Sequence, residues 1–156
     1  MIEQGSPEWF AARVGKLTAS RMADAMAKIK TGYGASRANL MAEIVVERLT
    51  GQKAEGFTNA AMQHGIDTEP HARAAYEFHT DNTVELTGFV DHPEIAMFDA
   101  SPDGLIGSAG LLEIKCPGSA AHIDVLLRSA IPGKYQTQMA TQLACTRREW
   151  CDFVSF

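Results

Sequence analysis

The stretch Ala100 to Pro117, ASPDGLIGSAGLLEIKCP, leaves this chain the fewest choices. Pro102 lacks the amide that a sheet ladder needs, so it marks a strand end or bulge with Asp103 directly after it. Gly104, Gly107, Ser108 and Gly110 supply turn chemistry, and Leu111 to Cys116 resumes as a short apolar strand. Alternate side chains of a strand share a face. Leu112, Ile114 and Cys116 therefore point into a core, while Glu113 and Lys115 point together to the other side. If the two strands pair as a hairpin, Asp103 and Glu113 meet at one edge with Lys115 beside them.

Two carboxylates, a backbone carbonyl and waters make an all-oxygen shell, which suits Mg²⁺ or Mn²⁺ rather than zinc. A hard cation held there polarises a phosphodiester, stabilises the leaving oxygen and lowers the pKa of a bound water. Lys115 would orient that water or neutralise charge developing on the phosphate. It serves as a general base only if burial and the cation depress its pKa. The same letters have a plainer reading. Glu-x-Lys is common, and on an exposed strand it is two solvated charges.

With 156 residues, 46% of them hydrophobic and 21% charged, the chain is expected to be one domain with a real core. No apolar run approaches the ~20 residues of a membrane span, and MIEQGSPEWF lacks the pattern of a secretory signal. Cys116, Cys145 and Cys151 are scattered and odd in number, which fits reduced thiols in a cytosol rather than a disulfide framework. A net charge of −5 argues against a general nucleic-acid coat but not against a nuclease, whose acidic groups sit at a metal.

In chain order, Ser6-Pro7-Glu8 starts a short helix that Gly15 ends. LTASRMADAMAKIK predicts a second helix capped by Thr18 or Ser20, with Met22, Ala25, Met26 and Ile29 at helical spacing. Ser36 caps a third, whose apolar stripe is Leu40, Ile44, Val45 and Leu49 and whose stop is Gly51. After a loop over Gln52 to Thr58, Asn59 caps a helical run from Ala60 to His79 that Gly65 and Pro70 interrupt or kink. Thr83 to Asp91 alternates as one strand, and Met97 to Ser101 as the next. Beyond the hairpin come a helix from Ala120 to Arg128, a break at Pro132-Gly133, a helix from Tyr135 to Ala144 and a strand from Trp150 to Phe156. Helices first, then a mixed sheet with helices upon it, make an α/β (α+β) fold.

Other polar groups are less specific. Arg13, Gly15, Thr18 and Ser20 at a helix start can cradle an anion, although a capped helix with a surface arginine is the simpler reading. Gln136, Gln138 and Gln142 read as solvated amides unless they meet phosphate or bases. His64 and His71 are seven apart, but Pro70 spoils the spacing for a zinc pair. Met22, Met26, Met41 and Met62 read as core fillers.

Taken together, these blocks resemble the bacteriophage lambda exonuclease family, the YqaJ-type viral recombinases of the PD-(D/E)XK nuclease superfamily. The resemblance runs from Gln4 to about Phe153. It rests on Gln4-Gly5, Trp9, Arg13, Gly15, Thr18-Ala19-Ser20, Gly65, Glu69 and Ala72-Arg73, then on Ser101-Pro102-Asp103-Gly104-Leu105 and Leu112 to Pro117, and finally on Tyr135, Gln138 and Thr146-Arg147. Each block is weak, but their order and spacing are specific. It implies a restriction-endonuclease-like core, with a mixed central sheet flanked by helices and an N-terminal helical segment. It implies that Asp103, Glu113 and the carbonyl of Ile114 hold Mg²⁺ (Mn²⁺ substituting), with Glu69 at a second metal and Lys115 as catalytic lysine. Arg13, Ser20, Ser101 and Gln138 correspond to a pocket for the 5′-terminal phosphate of DNA, and Met62 to an apolar wedge between strands.

Such enzymes degrade one strand of linear duplex DNA from a 5′-phosphorylated end to mononucleotides. They leave a 3′ overhang for a single-strand annealing protein, and they assemble as homotrimer rings. The resemblance further implies a phage or prophage origin and action in the cytoplasm of a bacterial host. Relatives with an iron–sulfur cluster use four cysteines, so none is expected here. Residues 1–156 are expected to be a single nuclease domain, stopping short of a C-terminal strand and helix that relatives have. An unpaired edge at Trp150 to Phe156 is then expected to be sticky. Two other functions share these residues: a non-catalytic DNA-end-binding module that recruits an annealing protein, and a restriction-type endonuclease on the same core.

Overall fold

Ser6 has extended backbone geometry and its hydroxyl accepts the Trp9 amide at 3.1 Å, which starts α1 over Pro7–Ala12. A computed structural model gives the fold, and it describes residue 2, residues 4–54 and residues 59–156. The elements continue as β1 (Leu17–Thr18), a 3₁₀ turn over Ala19–Arg21, α2 (Met22–Ala25), β2 (Lys28–Ile29), β3 (Gly32–Tyr33) and α3 (Ala35–Thr50). Then follow α4 (Ala60–Thr80), β4 (Val84–Glu85), β5 (Val90–Asp91), β6 (Phe98–Ala100), β7 (Gly104–Ile106) and β8 (Gly110–Lys115). The chain closes with α5 (Ser119–Arg128), α6 (Gly133–Thr146) and β9 (Trp150–Ser155).

These elements form two compact units. The first takes Met1–Gly56, Thr87–Ser101 and Gly133–Arg147. Its sheet has the order β1-β6-β5, with β6 parallel to β1 and antiparallel to β5. Its core gathers Ala19, Phe98, Ala100 and Cys145, with Leu17 and Met22 against them, so α6 and the 3₁₀ turn cover the central strand.

The second unit takes Phe57–Leu86, Pro102–Pro132 and Arg148–Phe156. Its sheet has the order β4-β7-β8-β9. The β7–β8 pair is the antiparallel hairpin expected from the sequence, with Gly104 opposite Leu112, and β9 runs parallel to β8 from Gly110–Trp150 to Lys115–Ser155. Leu112 and Ile114 enter a core with Ala72, Tyr76, Val84 and Ile106, and Cys116 packs against it. The alternation read from LLEIKC is therefore the observed one. Arg148 locks the hairpin by donating to the carbonyls of Gly107 at 2.9 Å and Gly110 at 2.7 Å. Gly110 is required where it stands, since a Cβ there would lie 2.3 Å from the Trp150 ring.

Several expectations are corrected. The second helix does not form as one piece: Leu17–Thr18 pairs with Phe98–Asp99 as a strand, and Lys28–Tyr33 folds into a small hairpin instead. Local helical spacing loses there to a partner distant in sequence. Neither Thr18 nor Ser20 caps a helix with its side chain, and the N-cap of α3 is Gly34 rather than Ser36.

Thr83 to Asp91 splits into β4 and β5, which belong to different sheets. Pro70 lies inside an unbroken α4, whose cap is Asn59 accepting the Met62 amide at 2.9 Å. In α3 only Leu40 of the expected stripe is buried; Val45 is exposed and Leu49 is 82% exposed, because the described residues cover the helix on one side only. Met26, Met41 and Met62 are likewise exposed rather than core fillers. The expected loop over Gln52 to Thr58 falls partly outside the described residues. Among the described residues no helix is long and apolar enough to cross a membrane.

Candidate active site

Pro102 is fully buried, and the amide just after it, at Asp103, donates to the Leu112 carbonyl at 3.1 Å. The Asp103 carboxylate in turn accepts the Ile114 amide at 2.7 Å. Backbone and side chain of one residue are thus both tied to β8. Glu113, on the other face of β8 from Leu112 and Ile114, is wholly buried and forms an ion pair with Lys115, whose side chain is 26% exposed. The structure brings Asp103, Glu113 and Lys115 together, all on the second unit.

Glu69 belongs to the same charge cluster. It reaches from α4, pairs with Arg73 at 2.5 Å, and adds to the negative field at Asp103. Burial pushes the Asp103 carboxyl well above the usual carboxylate range, Glu113 pushes it further, and Lys115 opposes them; Glu69 raises it and the Ile114 amide lowers it. Burial, then Glu69 and Asp103, raise the Cys116 thiol. Burial, then Glu113, Asp152 and Asp103, push Cys151 up to about 12. Negative charge is crowded out of reach of water, and a cation is the group that relieves it.

The donor set fits a hard divalent ion only with help. Among the described residues no three His, Cys, Asp or Glu side chains stand close enough to hold a metal. Asp103 and Glu113 would hold an ion only with backbone oxygen and waters completing the shell, a pattern that suits Mg²⁺, which keeps several waters. His64 and His71 are exposed on α4 and form no such group. The three cysteines are free thiols.

The residues expected at a phosphate lie on the first unit. Arg13 stacks on the Trp9 ring at 3.8 Å, and the Trp9 indole N–H donates to the Ser101 hydroxyl at 3.2 Å. Ser20 is exposed on the 3₁₀ turn, its hydroxyl 3.1 Å from that of Thr18. Gln138 is buried on α6, the helix packed on that turn and on β6. Arg13 and Ser101 are thus joined through Trp9, while Ser20 and Gln138 are held on the same sheet by β1 and α6. Gln142 is also buried, not solvated, whereas Gln136 is exposed. Met62 stands 53% exposed in the first turn of α4.

Two features escaped the sequence. Asp99 is fully buried on the central strand β6, with Arg13 Nε 3.8 Å from its carboxylate. The Tyr76 hydroxyl donates to Asp152 at 2.6 Å and accepts from Asn82 at 3.3 Å, which ties α4 to β9. A lone acid inside an apolar strand, as in Phe98-Asp99-Ala100, was the available signal for the first.

Residues 8–149 match the YqaJ-like viral recombinase domain. An alkaline exonuclease from Laribacter hongkongensis is 53% identical over 97% of this chain and 74% of its own, with a TM-score of 0.90. The structure of that enzyme with dAMP matches equally well. A phage-related exonuclease from Haemophilus somnus, 18% identical over 90% of this chain and 68% of its own, has a TM-score of 0.70 and shares the fold. No curated protein matches.

Proposed function

The chain belongs to the YqaJ-like viral recombinase family, a nuclease of restriction-endonuclease-like α+β fold acting on DNA, and on that premise we propose that it is a metal-dependent 5′→3′ exonuclease. It removes mononucleotides from the 5′-phosphorylated end of linear duplex DNA and leaves a 3′ overhang. One observation carries this reading: two buried carboxylates and a lysine converge on one strand, with the acidity of Asp103 suppressed by crowding.

A divalent metal is the cofactor the family implies. Asp103, Glu113 and the Ile114 carbonyl would hold Mg²⁺, with Mn²⁺ able to replace it and Glu69 available for a second ion. When bound, the ion polarises the scissile phosphodiester and lowers the pKa of a water. Asp103 keeps its position through the Ile114 amide. Lys115, paired with Glu113, would place its ammonium where charge develops on the phosphate. Arg13, Ser20, Ser101 and Gln138 take the terminal phosphate, and exposed Met62 parts the strands. Family membership supports a single nuclease domain working as a homotrimer ring in the bacterial cytoplasm, from a phage or prophage, and passing the overhang to a single-strand annealing protein.

Linear 5′-phosphorylated duplex and covalently closed circles, each with Mg²⁺ and then with chelator, test the reading. Mononucleotides from the linear DNA alone, abolished by chelation, are expected. Cut circles would mean a restriction-type endonuclease, and binding without release a recruiting module.

A further inference from the structure

The side of Arg13 that faces the protein interior holds an acid that the proposed chemistry does not use. Asp99 lies on β6 between Thr18 of β1 and Asp91 of β5, and none of its surface is exposed. Arg13 Nε approaches its Oδ1 to 3.8 Å, too far for a hydrogen bond. Neither oxygen of Asp99, nor Arg13 Nε, has a hydrogen-bond partner among the described residues. The guanidinium is instead held by stacking on Trp9 at 3.8 Å, with the side chain still 19% exposed. Lys16 lies nearby, but its ammonium is bonded to Asp91 at 2.6 Å, and Glu47 also bears on Arg13.

A guanidinium fixed by a ring does not need a carboxylate to hold its place. What the carboxylate does is cancel charge. We propose that Asp99 is a buried counter-charge that weakens the grip of Arg13 on the 5′-terminal phosphate, and so sets how fast each released mononucleotide leaves. The inference rests on the phosphate-pocket reading of Arg13. Every turnover of the proposed reaction yields a nucleotide that carries the phosphate the pocket has just held. A pocket with the full charge of Arg13 would keep its product. Asp99 touches no substrate and acts only through the charge of Arg13. Burial raises its carboxyl to about 6 despite Arg13, in keeping with two oxygens that lack a hydrogen-bond partner among the described residues.

The test measures dAMP affinity in chelator, with deoxyadenosine as the uncharged control, for the wild type, Arg13→Ala, Asp99→Asn and Asp99→Ser. Asp99→Asn is expected to tighten dAMP about tenfold, a modest share of a unit charge at this range. Deoxyadenosine binding is expected to stay the same, and kcat on 5′-phosphorylated duplex with Mg²⁺ to fall through retained product. A purely structural acid would not tighten binding. If Arg13→Ala weakens dAMP while both Asp99 variants match the wild type or bind more weakly, the proposal is overturned and the pocket stands. If Arg13→Ala changes nothing, the pocket reading fails and takes the proposal with it. Failure of both Asp99 variants to fold would assign the acid to stability and likewise overturn the proposal.

Discussion

The Asp103 carboxylate accepts the Ile114 amide at 2.7 Å, so a proposed metal ligand is also a structural acceptor. Asparagine keeps that acceptor and removes the charge. Because burial and Glu113 raise the Asp103 carboxyl, its ionised form costs stability when no cation is present. Asp103→Asn is expected to raise Tm in chelator by about 2–4 °C and to abolish nuclease activity. Mg²⁺ should raise the Tm of the wild type and leave that of the variant unchanged. Thermal unfolding with and without Mg²⁺ checks this, and a variant less stable than the wild type in chelator would refute it.

Asp99 sets a pH dependence in the first unit. Its folded pKa of about 6 lies above the ordinary 3.8, so the folded state binds the proton more tightly than the unfolded chain does. The resulting stabilisation is fully present below about 3.8 and is lost as pH rises through about 6. Relative to Asp99→Asn, the wild type should gain on the order of 2–3 kcal/mol between pH 7 and pH 4. Urea unfolding of both proteins across that range measures it; parallel curves would contradict the burial argument.

Lys115 forms an ion pair with Glu113. Lys115→Ala is expected to slow mononucleotide release at least about a hundredfold, the scale of losing one preorganised charge at a transition state. Binding of the DNA end should change little. Single-turnover cleavage and end binding in chelator separate the two effects.

Arg148 donates to the Gly107 and Gly110 carbonyls, holding the turn that aligns β7 with β8. Arg148→Met keeps the aliphatic stem and leaves those carbonyls to water. The expected loss is about 1–3 kcal/mol of stability, read by chemical denaturation, with activity falling in proportion to the folded fraction.

The β7–β8 hairpin was legible because all its signals are local: a proline before the acid, glycines in the turn, and an alternation that can place Leu112 and Ile114 inside in only one register. The Leu17–Ile29 segment was not. Its helical spacing is real, but Leu17 and Thr18 are claimed by Phe98 and Asp99, which no window around them contains. Thr83 to Asp91 misled for a similar reason. Val84 has its amide taken by Glu77 at 2.7 Å and pairs with β7, while Val90 pairs with β6, and nothing in the alternation marks the change of partner. At the candidate site, Glu-x-Lys suggested a shared face, but the burial of Glu113 and the link from Asp103 to Ile114 come from strands on either side. Asp99 was hidden because its meaning depends on Arg13, brought beside it by tertiary folding.

The strand that carries Glu113 and Lys115 is bordered on one side by β7 and on the other by β9. It cannot fray without unzipping both seams, so in heavy water its amides should be among the last of the second unit to exchange. The proposed reacting groups inherit that stillness, and the motion that would admit DNA is expected somewhere other than the strand that carries them.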